Sequence, residues 1–143
     1  MARNKNTKKS KGSTGANRNA TDNFIEKYAN KANVIRHEEG FYFKVIEQGD
    51  GDKPSLFDSV RVNQRILLAD GSVIADTYRT GLADEFSLEE AIKGLKLGLP
   101  LMSVGSRYEF VIPPELAWGK KGNRSKIGPN AVMFFDIRLV KIV

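Results

Sequence analysis

The stretch from Leu88 to Trp118 leaves this chain few folds to choose from. Leu88, Ala91, Ile92, Leu95 and Leu99 recur at helical spacing on one face. Gly98 and Pro100 then predict the end of that helix, and Met102 to Gly105 a turn. From Arg107 to Ile112 the period drops to two, with Tyr108, Phe110 and Ile112 on one side. Pro113 and Pro114 close the strand, and the loop after them carries the only tryptophan, Trp118. A short helix, a strand and an aromatic loop in quick succession point to a pocket floored by the helix and walled by Trp118.

The remaining period-two runs supply a sheet. Phe41 to Glu47 reads as a strand with Phe41, Phe43 and Val45 on one face. Ser59 to Leu68 places Val60, Val62, Ile66 and Leu68 on one face, with Gln64 among them. A polar amide there needs a partner, or it lines a partly wet pocket. Asp70-Gly71 is a hairpin turn from which Val73 to Tyr78 pairs back. Thr80 to Asp84 reads as a loop, and Phe86 leads into the helix. The last strand, Ala131 to Ile142, aligns Met133, Phe135, Ile137 and Leu139. The expected class is α+β, an antiparallel sheet folded over one short helix.

Charge divides the chain. Residues 1–20 hold six basic side chains, no acid and no large apolar residue after Met1. Such a segment cannot bury enough surface to offset its ordering entropy, so a disordered basic tail is expected. It is either a solvated tail or an electrostatic arm for ribosome or nucleic acid. The first reading is preferred, because no aromatic residues are interleaved for base stacking. Residues 21–40 read as a short helix, capped by Thr21-Asp22 and carrying Phe24, Ile25 and Tyr28, followed by a linker. Residues 41–143 form the folded domain.

Composition excludes much chemistry. There is no cysteine, hence no disulfide and no thiolate. The lone histidine, His37, argues against a histidine-based triad or metal cluster. The acidic Gly49–Pro54 loop lacks the calcium-loop pattern, and the basic Gly119–Lys126 loop lacks the spacing of a phosphate-binding loop. No apolar run approaches the ~18 residues of a membrane span, and no apolar stretch of a secretory signal follows the basic N-terminus, so a cytoplasmic location is expected.

Several motifs, in order, give the chain a resemblance. They are Leu68-Ala69-Asp70-Gly71, Phe86-Ser87-Leu88 with Ala91-Ile92-Lys93-Gly94, and Met102-Ser103-Val104-Gly105. Ile112-Pro113-Pro114-Glu115-Leu116-Ala117-Trp118-Gly119 and Ile127-Gly128-Pro129-Asn130-Ala131 with Phe135-Asp136 complete the set. The chain resembles the FKBP-type peptidyl-prolyl cis-trans isomerases over roughly residues 41–143. Its entry segment is similar to the bacterial macrophage infectivity potentiator type. The resemblance implies a half-barrel of five or six antiparallel strands around one short helix, and isomerase (rotamase) activity in protein folding without metal, cofactor or covalent intermediate. It implies proline-containing unfolded or nascent polypeptides as substrates. Relatives of the infectivity potentiator type are often dimeric through a long helical arm, which this sequence lacks, so a monomer is expected.

Carried over residue by residue, the resemblance places a backbone donor at Ile92, with Ala91 beside it, and the pocket floor at Leu95, where the family usually has tryptophan. Trp118 takes the position of a loop tyrosine, Phe135 that of the phenylalanine on the last strand, and Phe86 the pocket edge. Gln64 stands for a tyrosine, Ile74 for a phenylalanine, and Ala75 for an aspartate that Asp76 would partly replace. Asn123 and Ile127 complete the substrate-binding set. These departures leave an alternative open: a binding or chaperone module with a degraded site, tethered through its basic tail.

Overall fold

In the computed structural model, which describes residues 14–123 and 126–143, the period-two runs become one antiparallel sheet. Its strands are β1 (Ile35–Arg36), β2 (Tyr42–Glu47), β3 (Ser59–Leu68), β4 (Val73–Asp76), β5 (Asp84–Ser87), β6 (Arg107–Ile112) and β7 (Met133–Ile142). The spatial order is β1-β2-β6-β7-β3-β4, with β5 also on β3. β3 and β7 form the long central pair, in register from Val60 opposite Ile142 to Leu68 opposite Met133.

Among the described residues the strands number seven rather than five or six. β1 has only two residues, and β4 and β5 divide one edge of β3 between them. A helical turn at Thr77–Thr80 separates those two strands. Asp76 caps its start, accepting from the Arg79 N–H, and Gly81 ends it in the left-handed region at φ 77°. Asp84–Ser87 holds a single apolar residue, Phe86, so no alternation marked it as a strand.

An N-terminal helix, α1 (Thr14–Ala29), packs on the face of the sheet opposite the main core. Phe24 and Tyr28 meet Phe134 edge-on, and the Tyr28 hydroxyl donates to Glu109 at 3.0 Å. The helix starts at Thr14, not at an expected Thr21 cap, so residues 14–20 belong to it and not to a disordered tail. Residues 1–13 of that expected tail lie outside the described residues. Thr21 is buried in mid-helix. Polar ties hold the early turns: the Asn17 amide donates to the Pro129 carbonyl at 2.8 Å, and Arg18 reaches Glu115 and Asp22. Apolar periodicity is blind to such ties.

With the helical turn Thr77–Thr80 taken as α2, the core-facing helix is α3 (Lys93–Gly98). Side chains added at Gly94 and Gly98 would place a Cβ 2.5 Å from Ile112 and 2.7 Å from Phe110. The helix backbone therefore lies directly on β6, over a core that includes Val60, Val62, Leu99, Phe110, Phe135 and Ile137.

The single helix expected from Leu88 to Leu99 is divided. Leu88–Glu90 form a 3₁₀ turn, Ala91 and Ile92 are extended with ψ of 163° and 154°, and only then does α3 begin. A second 3₁₀ turn, Leu99–Leu101, carries the chain past Gly98. The Leu88 N–H donates to the Asp58 carbonyl at 3.0 Å, fixing the first turn to the sheet edge while α3 lies over β6. Two extended residues span the gap. His37 stacks on Phe41 with ring centroids 4.3 Å apart and does not line the cavity described next.

Candidate functional site

A cavity of about 350 Å³ opens between the sheet and the segment running from β5 into α3. β3 contributes Gln64 and Ile66, and β7 contributes Met133 and Phe135, with Ile66 opposite Phe135 in the ladder. Phe86 on β5 and Ile74 on β4 stand at one side. Glu90, Ala91, Ile92 and Leu95 form the wall at the helix break, and Trp118, Asn123 and Ile127 come from the loop after β6. Glu90 is the one ionisable side chain in this lining.

Ten of the site residues expected from sequence thus surround one cavity: Gln64, Ile74, Phe86, Ala91, Ile92, Leu95, Trp118, Asn123, Ile127 and Phe135. Asp76 does not. Between Ile66 and Leu67 the pairing with β4 shifts register, so that Val73 and Ala75 oppose them and Ile74 is the inserted residue. That bulge turns Ile74 to the cavity. Asp76 falls opposite Arg65, to which it lies 3.6 Å away, and its other oxygen accepts from the Arg79 N–H. Its charge serves a helix start and an ion pair, so it does not substitute for an acid inside the pocket.

Sequence reasoning missed Ile66, Met133 and Glu90. The first two had a signal, since each stands two residues from a chosen position, Gln64 and Phe135, on the same strand face. Glu90 had none, because its place depends on the helix break.

That break sets the chemistry of the wall. The Ala91 N–H reaches back to the Leu88 carbonyl at 3.2 Å, the i to i−3 bond of a 3₁₀ turn. A continuous helix would direct the Ile92 N–H at that same carbonyl. Extended backbone at Ala91 and Ile92 prevents this, and the Ile92 N–H makes no hydrogen bond to a described residue. The Ile92 carbonyl is engaged, accepting from Leu95 and Lys96 at 3.0 Å each. The outcome is a fixed backbone donor beside an apolar cavity.

Gln64 solves half of its burial problem. Its amide nitrogen donates to Asp84 at 2.9 Å, and its backbone N–H donates to the Thr77 hydroxyl at 2.8 Å. Its side-chain oxygen, Oε1, is buried without a hydrogen-bond partner among the described residues. A buried acceptor left unmet costs about 1–3 kcal/mol.

Trp118 is 42% exposed, so it forms the rim and not the floor. Its loop is tightly closed. The Gly119 N–H donates to the Pro114 carbonyl at 2.8 Å, the Gly122 N–H to the Trp118 carbonyl at 3.1 Å, and the Asn130 N–H to the Gly119 carbonyl at 2.9 Å. Gly122 sits at φ 66° with its backbone so close to the Ile127 and Gly128 carbonyls that a side chain would collide with them. Across the mouth, Lys126 donates from Nζ to the Ile74 carbonyl at 3.3 Å.

The opposite face of the sheet is apolar under α1, at Val111, Val132 and Phe134, and polar further along. Arg107 grips Asp136 with two bonds of 2.9 and 2.7 Å, which holds the guanidinium pKa above its ordinary value. Burial, with the Asp136 charge, pushes the Tyr78 phenol up to about 12. This ladder stabilises the sheet outside the cavity.

The model of FKBP-type peptidyl-prolyl cis-trans isomerases matches residues 51–140. The chain is 38% identical over 120 residues to the FKBP-type 22 kDa peptidyl-prolyl cis-trans isomerase of Escherichia coli, covering 84% of this chain and 58% of that protein. It is 34% identical over 119 residues to the peptidyl-prolyl cis-trans isomerase Mip of Coxiella burnetii, covering 83% and 52%. The crystal structure of FkpA from Escherichia coli superposes with a TM-score of 0.86 at 33% identity, covering 90% of this chain and 60% of that one. The chain spans about half the length of the curated relatives it matches.

Proposed function

Because the chain belongs to the FKBP-type peptidyl-prolyl cis-trans isomerases, we propose that its cavity catalyses rotation about X-Pro peptide bonds in unfolded or newly made polypeptides. The observation that carries this reading is the free Ile92 N–H beside a mostly apolar cavity. Resonance holds the amide planar behind a barrier of ~18–20 kcal/mol. The two X-Pro isomers differ by only ~0.5–1 kcal/mol, so a catalyst need only favour the twisted form. The twisted amide has lost charge separation and is better tolerated out of water than the planar one.

In this reading the proline ring enters the cavity between Phe86, Leu95 and Phe135, under the Trp118 rim. The Ile92 N–H donates to a carbonyl of the bound peptide and fixes its orientation. No proton is transferred and no covalent bond is made. Leu95 and Ile74, where the family usually carries aromatic residues, leave a wider and less aromatic floor. Macrolide inhibitors that rely on an aromatic floor and an aspartate therefore bind poorly. The same apolar cavity gives a chaperone-like role as a holder of unfolded segments.

NMR exchange on short X-Pro peptides, with wild type and Trp118→Ala at matched folded concentration, tests the proposal. Acceleration by wild type that falls about tenfold in the variant is the expected result. No acceleration across several X residues overturns the enzyme reading and leaves the binding-module one.

A further inference from the structure

The loop that carries Trp118 is held from outside the pocket by α1. Thr21 is 1% exposed and makes two buried bonds. Its hydroxyl donates to the Asn130 carbonyl at 2.7 Å and accepts the Val132 N–H at 3.0 Å. Asn130 stands at φ 53°, a left-handed conformation uncommon for a residue with a side chain. Its N–H in turn holds the Gly119 carbonyl at 2.9 Å, next to Trp118. The chain of contacts therefore runs Thr21, Asn130, Gly119, Trp118. A second tie sits beside it, from the Asn17 amide to the Pro129 carbonyl at 2.8 Å. A third reaches the other end of the loop, where Arg18 pairs with Glu115 at 2.7 Å, three residues before Trp118.

We propose that α1 is a brace for the pocket rim, and that Thr21 is a positioning residue that sets where Trp118 stands over the bound proline. The proposal rests on the isomerase reading for its consequence in catalysis, but not for its geometry. Three polar contacts from successive turns of one helix converge on the two ends of a single loop. The apolar contacts of α1 are made by other residues, Phe24, Ile25 and Tyr28, in a cluster with Val111, Val132 and Phe134. Attachment of the helix is thus served by one set of residues and support of the loop by another. A brace at the rim acts on substrate capture more than on the twisted state, since the polar ties of α1 go to the Trp118 loop and to Val132, and not to the Ala91–Ile92 segment that carries the donor.

Trp118 is the only tryptophan, so its fluorescence reports the rim alone. Thr21→Val keeps the shape but leaves the Asn130 carbonyl and the Val132 N–H without their partner. Emission, acrylamide quenching, and kcat and KM for an X-Pro peptide would be measured in the full chain at matched folded concentration. The expected result is a shifted emission and easier quenching, with KM raised about fivefold and kcat within about twofold. Thr21→Ser restores the hydroxyl and both readouts. An Asn17→Ala, Arg18→Ala pair, which leaves the buried Thr21 bonds in place, moves the same readouts in the same direction and serves where Thr21→Val does not fold. Unchanged emission, quenching and KM in a folded variant overturn the brace and leave α1 a stabilising helix only. If wild type lacks isomerase activity while Trp118 emission still responds to Thr21, the brace stands and the isomerase reading falls.

Discussion

The Leu88 carbonyl accepts the Ala91 N–H at 3.2 Å, and so the Ile92 N–H, one residue on, is left without an acceptor among the described residues at the cavity wall. Leu88 and Ile92 are four residues apart, the spacing of an α-helical hydrogen bond. The helix is broken at the place where a continuous one would have consumed the donor. A proline also fits there, because Ile92 has φ −60° and Ala91 before it is extended. Ile92→Pro removes the N–H with the backbone path kept, while Ile92→Ala removes only the side chain. The proline variant is expected to have kcat/KM about tenfold to a hundredfold below the alanine variant, with both folded by circular dichroism. Equal values in the two variants would remove the backbone donor from the mechanism.

Trp118 and Phe135 line the same cavity but differ in what else they hold up. Trp118 is 42% exposed and Phe135 is 2% exposed within the main core. Trp118→Ala is expected to change stability by about 1 kcal/mol or less, yet to lower kcat/KM about tenfold. Phe135→Ala is expected to cost about 3–5 kcal/mol of stability. Urea unfolding beside peptide kinetics separates the two; a large stability loss in Trp118→Ala would place it in the core.

Gln64 offers a test through its unmet oxygen. Gln64→Leu removes that buried acceptor and frees Asp84, which is partly exposed and can bond to water. The Thr77 contact stays, since it is made to the Gln64 backbone N–H. Stability is expected to hold or to rise by about 1 kcal/mol. A clear loss in urea unfolding would mean that the Gln64–Asp84 bond outweighs the orphan oxygen.

Alkaline pH should loosen the attachment of α1. Burial, and then the Glu109 charge, raise the Tyr28 phenol well above its ordinary value. An unfolded phenol ionises near pH ~10 while the folded one stays protonated, so this contribution is full below that pH and is lost as pH rises above it. The slope is about 1.4 kcal/mol per pH unit for one group. Tyr78, raised to about 12, and Tyr108, raised mainly by burial, act in the same sense. Tyr28→Phe should therefore reduce, without abolishing, the fall in stability measured by urea unfolding above pH ~10. An unchanged slope would show that Tyr28 ionises no differently in the two states.

Alternation along the chain was enough to place the strands whose side chains face two different media. β3 and β6 start and end where the alternation predicts, at Ser59–Leu68 and Arg107–Ile112. One face of each meets the core, and the period of two records that. Most cavity residues came from the resemblance of the motifs; alternation also offered Ile66 and Met133, on the strand faces of Gln64 and Phe135, and they were not chosen. The remaining features depend on which segments pack together. Leu88, Leu95 and Leu99 have helical spacing and are all buried, yet the backbone between them is a 3₁₀ turn, two extended residues and a short helix. Burial fixes where a side chain ends, not the path that takes it there. Asp76 was turned from the pocket by a bulge between strands, and residues 14–20 were made helical by polar contacts with Glu115 and Pro129, about a hundred positions away. Pairing register and long-range hydrogen bonds depend on which segments meet, and a local pattern of apolar and polar residues carries no record of that meeting.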